Sequence, residues 1–369
     1  MNLQMVDLVN QYKRIKPEID SAIQAVIESG QFILGKTVSE FENNAAKYLG
    51  VRHAIGCASG TDALQVALMA LDIKDGDEVI TTSFTFVATV ETIVLLGAKP
   101  VYVDIEPDTF NIDPTKIEKA ITEKTKAIIP VHLYGHPVDM DPVLEIAKKY
   151  NLYVIEDSAQ AMGANYKNKK VASIGDIGCI SFFPSKNLGA YGDAGMITTN
   201  SDELAEKIRM IIVHGSKTRY YHELLGVNSR LDAIQAAILN VKLKYLDEWN
   251  NLRNDFAKVY NQLLNSELIK IPIIKPYAKH IFHQYTIRVN RRDELSEFLK
   301  NKNIPHAIYY PIPLHQQNAY KHLSPVNLSL PETEKAAREV ISLPMHTELT
   351  FEMQKYIADA INTFFKNSN

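Results

Sequence analysis

The fold class is decided by the stretch HAIGCASGTDALQVALMALDIKDGDEVITTS, residues 53–83. A short apolar run, 53–59, is followed by an amphipathic stretch, 61–73, and then by a second apolar run, 77–83. Apolar runs of this length predict buried strands, and the stretch between them predicts a helix. Strand, helix and strand in this order indicate a βαβ unit, in which the two strands are parallel.

The same alternation continues to about residue 200. The sequence predicts further helices at 85–97, 115–122 and 141–150 and further strands at 99–105, 126–133 and 152–158. Because the strands are nearly continuous apolar runs, we expect helices on both faces of a mainly parallel sheet, which is an α/β fold. Ligands of such sheets bind outside the carboxyl ends of the strands, so the residues that follow each strand are the candidate site residues.

After residue 200 the pattern changes. Residues 202–215 predict a helix, and residues 231–264, which lack Gly and Pro, predict one long helix. Beyond it we expect strands near 268–274 and 283–289 and helices near 293–302 and 350–365. The sequence therefore predicts a large domain, residues 1–250, and a small C-terminal α+β domain, residues 251–369.

Composition excludes several classes of protein. The 369 residues include 40 basic and 43 acidic side chains, a net charge of -3, so no basic excess points to nucleic-acid binding. The two cysteines, Cys57 and Cys179, are too few for a disulfide framework and fit a reducing compartment. The charged start MNLQMVDLVNQYKRIKPEID does not resemble a signal peptide, and no apolar run approaches the ~18 residues of a membrane span. We therefore expect a cytoplasmic protein without membrane or nucleic-acid partners.

The first candidate site is Ser59-Gly60-Thr61, between a predicted strand and a predicted helix. Glycine lets a backbone approach a ligand closely, and hydroxyls beside the amides of a helix N-terminus can bind an anion. A helix cap with a tight turn would explain the same residues. The sequence contains neither a Walker A loop nor a GxGxxG motif after a strand, so the usual nucleotide fingerprints are missing.

Two further candidate sites follow other strands. Glu156 and Asp157 end the strand at 152–158, where a carboxylate could bind a metal, act as acid or base, hold a cationic ring nitrogen, or simply be solvated. Side chains alternate along a strand, so only one of the two would face a ligand.

Lys186 follows a strand within SFFPSKNLG, 181–189. Most lysines are solvated surface charges, but one in a glycine-rich loop at a sheet edge is a candidate Schiff-base residue.

Taken together, the three sites fit pyridoxal phosphate and call for no metal. The Ser59–Thr61 turn would hold the phosphate, and Lys186 would form the imine. A carboxylate would keep the pyridine nitrogen protonated, so that the ring acts as an electron sink. Phe86, which follows the strand at 77–83, could cover the face of the ring.

Longer motifs carry a resemblance to a known family. They are SGTDAL (59–64), TSFTFVAT (82–89), PVHLYGHPVDMD (130–141), VIEDSAQAMGA (154–164), SFFPSKNLGAYGDAG (181–195) and GVNSRLDAIQAAIL (226–239). Together they resemble the sugar aminotransferases of the DegT/DnrJ/EryC1/StrS family. The resemblance implies pyridoxal-phosphate fold type I, the aspartate aminotransferase fold. It also implies pyridoxal phosphate as cofactor, with pyridoxamine phosphate as its intermediate form, and a homodimer with shared active sites.

Carried over motif by motif, the resemblance also implies roles for individual residues. Lys186 matches the Schiff-base lysine, Asp157 the partner of the pyridine nitrogen, and Gln160 the residue near the ring hydroxyl. Phe86 matches the aromatic residue that stacks on the ring. The phosphate-binding positions match Gly60, Thr61, Ser181 and, from the other subunit, Asn228. Related sugar dehydratases carry His in place of this lysine, so Lys186 favours transamination over dehydration.

The resemblance is strongest to members that aminate C3 of a 3-keto nucleotide sugar, with L-glutamate as donor, for amino-sugar and surface-glycan synthesis such as that of lipopolysaccharide O-antigen. The sugar would be linked to UDP or dTDP. Substrate candidates are Arg230, Tyr309, Tyr310 and His315. Members that act on uronates carry His where this chain has Tyr309. The sequence therefore leaves open whether the substrate sugar carries a carboxylate. Arg230 could equally form a structural ion pair, and His315 could be a core residue. A 4-keto sugar aminotransferase and a cofactor-bearing regulatory protein are the alternatives.

Overall fold

The computed structural model describes residues 3–366. The α-helices are α1 (Leu8–Ser29), α2 (Lys36–Leu49), α3 (Gly60–Ala70), α4 (Ala88–Leu95), α5 (Pro114–Ile117), α6 (Met140–Tyr150), α7 (Asp202–Ile211), α8 (Ala233–Leu243), α9 (Leu246–Leu263), α10 (Arg292–Asn301), α11 (Pro331–Glu339) and α12 (Phe351–Lys366). The strands are β1 (His53–Cys57), β2 (Glu78–Thr82), β3 (Lys99–Val103), β4 (Thr125–Ile128), β5 (Tyr153–Asp157), β6 (Asn165–Tyr166), β7 (Lys169–Lys170), β8 (Ile177–Ser181), β9 (Gly195–Thr199), β10 (Ser216–Thr218), β11 (Tyr221–His222), β12 (Ala278–Lys279), β13 (Tyr285–Arg288) and β14 (Val340–Leu343).

The central sheet has the strand order β1-β9-β8-β5-β4-β2-β3. Strands β8, β5, β4, β2 and β3 pair in parallel, whereas β9 is antiparallel to both of its neighbours, β1 and β8. All the remaining strands of this sheet therefore run in one direction, opposite to that of β9. The carboxyl ends of β1, β2, β5 and β8 meet at one edge, and the predicted α/β fold with a mainly parallel sheet is confirmed.

Helices cover both faces of this sheet. On one face, α3 contributes Leu64 and Leu68, and α7 contributes Ile208, to a buried apolar cluster. On the other face, Phe41 of α2 and Leu239 of α8 lie in a second buried cluster. Strands buried on both sides explain why their sequences are apolar runs rather than alternating patterns. No helix within residues 3–366 combines the length and the apolar character needed to cross a bilayer.

The C-terminal region pairs β13 with β14 in antiparallel fashion. Its core includes Tyr285 of β13, Leu295 of α10 and Tyr260 from the second half of α9. Trp249, in the first half of α9, instead packs in a cluster with residues of α1. We propose that the boundary predicted near residue 250 lies within this helix.

Two predicted elements are wrong. The single helix expected over 231–264 is broken at Lys244 and Tyr245 into α8 and α9. Tyr245 stacks on Trp249, with ring centroids 5.7 Å apart, and its hydroxyl donates to Glu18 of α1, so tertiary contacts override the helical pattern.

The second wrong element is the strand expected near 268–274. Only Lys270 forms a bridge, with Arg288. Pro272 and Pro276 lack the N–H groups that a continued ladder would need.

Candidate active site

A cavity of about 440 Å³ lies at the edge where the strand carboxyl ends meet. Its lining includes most of the site residues predicted from the sequence: Gly60, Thr61, Phe86, Asp157, Gln160, Ser181, Lys186, Tyr309 and Tyr310. The lining residues at or just after the ends of β1, β2, β5 and β8 are far apart in the sequence, and the sheet brings these strand ends together. The C-terminal region closes the cavity with His283 and Gln284 in addition to the two tyrosines.

The start of α3 forms a cradle for an anion. Ser59 caps the helix, and its hydroxyl accepts a hydrogen bond from the Asp62 N–H at 3.0 Å. A Cβ on Gly60 would lie 2.5 Å from the Cβ of Ser181, so only glycine lets the turn lie against the end of β8. The first amides of α3 and the hydroxyls of Thr61 and Ser181 therefore border one small space. Such a helix N-terminus is suited to a phosphate.

The two adjacent carboxylates have different surroundings. Asp157 lines the cavity, and its carboxylate accepts hydrogen bonds from the Thr89 hydroxyl at 2.8 Å and from the Ala159 N–H at 3.2 Å. Burial raises the pKa of Asp157, although these hydrogen bonds and the charge of Lys186 oppose the rise. Within residues 3–366 no cationic side chain forms an ion pair with Asp157, so the carboxylate can still accept an N–H from a ligand.

Glu156 is fully buried away from the cavity. Its carboxylate accepts hydrogen bonds from the Ile174 N–H at 2.7 Å and from the Gly175 N–H at 2.8 Å. The Ala172 N–H and the His132 ring also contact it, each at 3.0 Å. These partners satisfy the Glu156 carboxylate, which therefore holds the 172–175 segment against β5.

Lys186 extends from the loop that follows β8. Its ammonium has no hydrogen bond or ion pair within residues 3–366, and the side chain lines the cavity. Burial lowers the pKa of Lys186 to about 8, although the charge of Asp157 opposes this. A lysine with such a pKa is partly neutral near pH 8, and the neutral amine is the nucleophilic form.

Gln160 is fixed on both sides by the chain. Its carbonyl oxygen accepts from the Tyr134 N–H at 2.7 Å, and its amide donates to the Tyr310 hydroxyl at 3.0 Å. Phe86 also lines the cavity; the residue is 54% exposed, and its ring centroid lies 6.4 Å from that of Tyr310. An exposed apolar ring at this place is available to stack on a planar ligand.

A family model for the DegT/DnrJ/EryC1/StrS aminotransferase family matches residues 13–362. The chain belongs to this family. It is 52% identical to the "Pleiotropic regulatory protein" of Geobacillus stearothermophilus, a match that covers 100% of both chains. It is 49% identical to the "UDP-2-acetamido-2-deoxy-3-oxo-D-glucuronate aminotransferase" of Pseudomonas aeruginosa, over 97% of this chain and 99% of that one. Among solved structures, that of S. venezuelae DesV is similar with a TM-score of 0.95 and 41% identity, over 98% of each chain.

The DegT/DnrJ/EryC1/StrS family consists of pyridoxal-phosphate-dependent aminotransferases, and similar solved structures contain pyridoxamine phosphate. This chain is accordingly a pyridoxal-phosphate-dependent aminotransferase with the expected fold. The cavity fits the cofactor, because the glycine-lined cradle at Gly60 leaves room for a phosphate and the Lys186 amine has no partner in the part of the chain that the structure describes. The Asp157 carboxylate can hold the ring nitrogen. When bound, pyridoxal phosphate supplies the electron sink for breaking a bond to Cα of an amino acid.

Three predicted site residues of this aminotransferase do not line the cavity: Asn228, Arg230 and His315. Asn228 is exposed, but the neighbouring Ser229 donates to Asp62 at 2.7 Å, which ties the loop to the start of α3. Arg230 is partly buried. His315 is buried, its ring Nδ1 lies 2.7 Å from the Ser83 hydroxyl oxygen, and its backbone N–H donates to the same oxygen at 2.9 Å, so it holds the segment after Tyr310 against the end of β2.

Sequence reasoning missed several residues of the site. Thr89 and Tyr134 lie inside the motifs TSFTFVAT and PVHLYGHPVDMD, so the family resemblance could have identified both as site residues. His283 and Gln284 carried no signal, because they precede β13 in the other half of the chain. The pKa of His283 lies well below its usual value, through burial and then the charge of Lys186, so this ring faces the cavity uncharged.

Proposed function

We propose that this aminotransferase transfers an amino group from L-glutamate to C3 of a dTDP- or UDP-linked 3-keto sugar. The observation that carries the proposal is one cavity containing the Asp157 carboxylate, the anion cradle at Gly60 and a Lys186 amine that has no hydrogen bond or ion pair within residues 3–366. The position of the amine on the sugar is supported by the name of the P. aeruginosa relative, which acts on a 3-oxo sugar nucleotide. The product would serve amino-sugar synthesis in the cytoplasm, for a surface glycan such as an O-antigen.

In this proposal Lys186 has two tasks. It binds the cofactor covalently, and after it is displaced by the amino donor, its amine accepts the proton from the donor Cα and later delivers a proton to the sugar carbon. Burial supports both tasks, because the lowered pKa of about 8 leaves part of the amine unprotonated. The two half-reactions proceed by a ping-pong scheme.

The other cofactor contacts follow from the lining of the cavity. Asp157 keeps a proton on the ring nitrogen, and Gln160 lies near the ring hydroxyl. Phe86 stacks on the ring. The phosphate is bound by Gly60, Thr61 and Ser181 together with the first amides of α3.

We further propose a homodimer in which Asn228 reaches the phosphate of the partner's site. Two observations support this. The Asn228 side chain is exposed and does not line its own chain's cavity. Tyr220, 77% exposed in the turn between β10 and β11, and Leu225, 90% exposed in the loop that carries Asn228, leave an apolar surface for a partner.

The substrate sugar would lie against Tyr309 and Tyr310, which line the cavity. Arg230 and His315 are outside the lining of this chain's cavity. A uronate carboxylate would therefore need a cation from elsewhere, such as Arg230 of a neighbouring copy, whereas a 6-deoxy sugar would not. Both sugar classes belong in the test.

The experiment starts from enzyme converted to the pyridoxamine form with L-glutamate. Keto sugars linked to UDP or dTDP, with the ketone at C3 or at C4, are then added one at a time, and return of the pyridoxal absorption is recorded. Return with 3-keto sugars supports the proposal, and return with 4-keto sugars alone would favour the 4-keto alternative.

The G. stearothermophilus relative is named a regulatory protein, which makes a regulatory role the second candidate. L-glutamate alone separates the two. An aminotransferase consumes L-glutamate, and the absorption spectrum of its bound cofactor changes. A cofactor-bearing regulator that does not transaminate leaves both the spectrum and the glutamate unchanged.

A further inference from the structure

Two side chains of α8 hold the loop that carries Lys186. We refer to residues 183–193 as the Lys186 loop. The carbonyl oxygen of Gln235 accepts from the Tyr191 N–H at 2.8 Å, and the ammonium of Lys242 donates to the Gly189 carbonyl at 2.8 Å. Gln235 and Lys242 are seven residues apart, or two helical turns, so both face the loop from one side of α8.

Lys242 is an unusual residue for this place. Its side chain is fully buried, it has no acidic partner within residues 3–366, and its ammonium lies 4.2 Å from the centre of the Tyr191 ring. Burial lowers the pKa of Lys242 to about 7. Burying an ammonium without a counter-ion costs free energy, and an apolar side chain would fill the same space without that cost. The contacts of its ammonium with the Gly189 carbonyl and the Tyr191 ring, both in the Lys186 loop, are the features that an apolar residue could not provide.

The Lys186 loop is tight and is held on its other side as well. A Cβ on Gly189 would lie 2.2 Å from the Pro184 carbonyl oxygen, so the chain turns back on itself within a few residues. The Asn187 amide donates to Asn250 at 2.7 Å and to the Ile281 carbonyl at 3.1 Å. Lys186 therefore projects into the cavity from a turn that is fixed by α8 on one side and by α9 on the other.

We propose that Lys242 and Gln235 are positioning residues that keep the Lys186 loop in the conformation that directs the Lys186 amine into the cavity. The functional part of this inference rests on the proposed role of Lys186. Neither residue lines the cavity, so both act through the backbone of the loop rather than on substrate or cofactor. The helix α8 begins just after the Asn228 loop, so the same helix links the two loops that the proposed site requires.

Loss of either contact should loosen the loop. Lys242→Met leaves the Gly189 carbonyl without its donor, and Gln235→Leu leaves the Tyr191 N–H without its acceptor. With L-glutamate and a keto sugar we expect kcat to fall about 10- to 100-fold, because a small displacement of the reacting amine is costly, while KM changes less than about twofold. Two matched controls are available. Lys244→Met removes an exposed lysine at the end of the same helix, and Gln235→Glu keeps an acceptor oxygen.

The deciding measurements use the cofactor-free full-length chain. Hydrogen exchange of the 183–193 segment should speed up in Lys242→Met and Gln235→Leu and stay at the wild-type rate in both controls. The pH midpoint for acetylation of Lys186, followed by mass spectrometry, should rise from about 8 towards the ordinary lysine value of 10.5 in the same two variants, because a looser loop exposes the amine to water.

Wild-type exchange and an unchanged midpoint in Lys242→Met and Gln235→Leu would overturn the inference. If Lys242→Met fails to fold, Gln235→Leu carries the test alone. Both readouts are independent of turnover, so they remain valid if the proposed sugar substrate is wrong. If the wild-type chain does not attach its cofactor through Lys186, the proposed function is wrong. The inference that Gln235 and Lys242 of α8 hold the Lys186 loop would still stand.

Discussion

Glu156 and Asp157 are neighbours in β5, yet their carboxylates point to opposite sides of the strand. Asp157 faces the cavity and accepts from Thr89, whereas Glu156 accepts from the backbone amides of Ala172, Ile174 and Gly175. The alternation of side chains along a strand produces this separation. One acidic residue is therefore available to a ligand, and the other belongs to the core.

Substituting the two carboxylates should separate catalysis from stability. Asp157→Asn should reduce turnover about 100-fold or more, because a neutral amide cannot keep a proton on the ring nitrogen. Glu156→Gln should instead lower the free energy of unfolding by about 1–3 kcal/mol, because one amide oxygen cannot accept from all the donors that surround Glu156. Steady-state kinetics and urea unfolding of both variants check this. Equal losses of turnover, measured on folded protein, would contradict the assignment.

Lys186→Ala should abolish covalent attachment of the cofactor while the chain stays folded, since the side chain makes no hydrogen bond to another described residue whose loss would unfold the loop. The check is borohydride reduction followed by peptide mass spectrometry, with circular dichroism to confirm the fold. Lys170→Ala is a matched control, because Lys170 packs over Tyr48 and does not line the cavity. Continued borohydride-stable labelling and turnover in Lys186→Ala would show that another residue binds the cofactor.

A mixed dimer tests the proposed sharing of active sites. One subunit carries Lys186→Ala and the other carries Asn228→Ala. If Asn228 serves the partner's site, one site contains both changes and the other contains neither, so about half of the native sites remain active. If Asn228 serves its own chain, every site is damaged. Activity no higher than that of the parent variants, in dimers shown to be mixed, would argue against sharing.

The pH dependence of Lys186 follows from its surroundings. Burial lowers the pKa to about 8 and the negative charge of Asp157 partly opposes this, so removing that charge should lower the value further. In the cofactor-free chain we therefore expect the acetylation midpoint of Lys186 near pH 8, and below that in Asp157→Asn. Mass spectrometry across pH 6–11 measures both. A wild-type midpoint near 10.5 would mean that Lys186 is solvated, and a higher midpoint in Asp157→Asn would reverse the expected sign.

The sequence predicted the strands of the parallel sheet and the residues at their ends, because buried strands and the turns after them have strong local patterns. It failed where distant contacts decide the structure. The break at Lys244–Tyr245 depends on packing against α1, and the helices α1 and α2 were not predicted. His283 reaches the cavity only because the C-terminal region packs over the sheet edge. Asn187 and Lys242, which hold the Lys186 loop, have side chains whose partners lie 53 or more residues away.

The most direct test of the central claim follows nitrogen from donor to sugar. The enzyme is incubated with ¹⁵N-labelled L-glutamate and a dTDP- or UDP-linked 3-keto sugar, and the sugar product is isolated and examined by NMR. We predict ¹⁵N bonded to C3 of the sugar, and loss of the product when Lys186 is replaced by Ala. Label on C4 would contradict the position of amination. Consumption of neither glutamate nor any keto nucleotide sugar would contradict the proposed function itself.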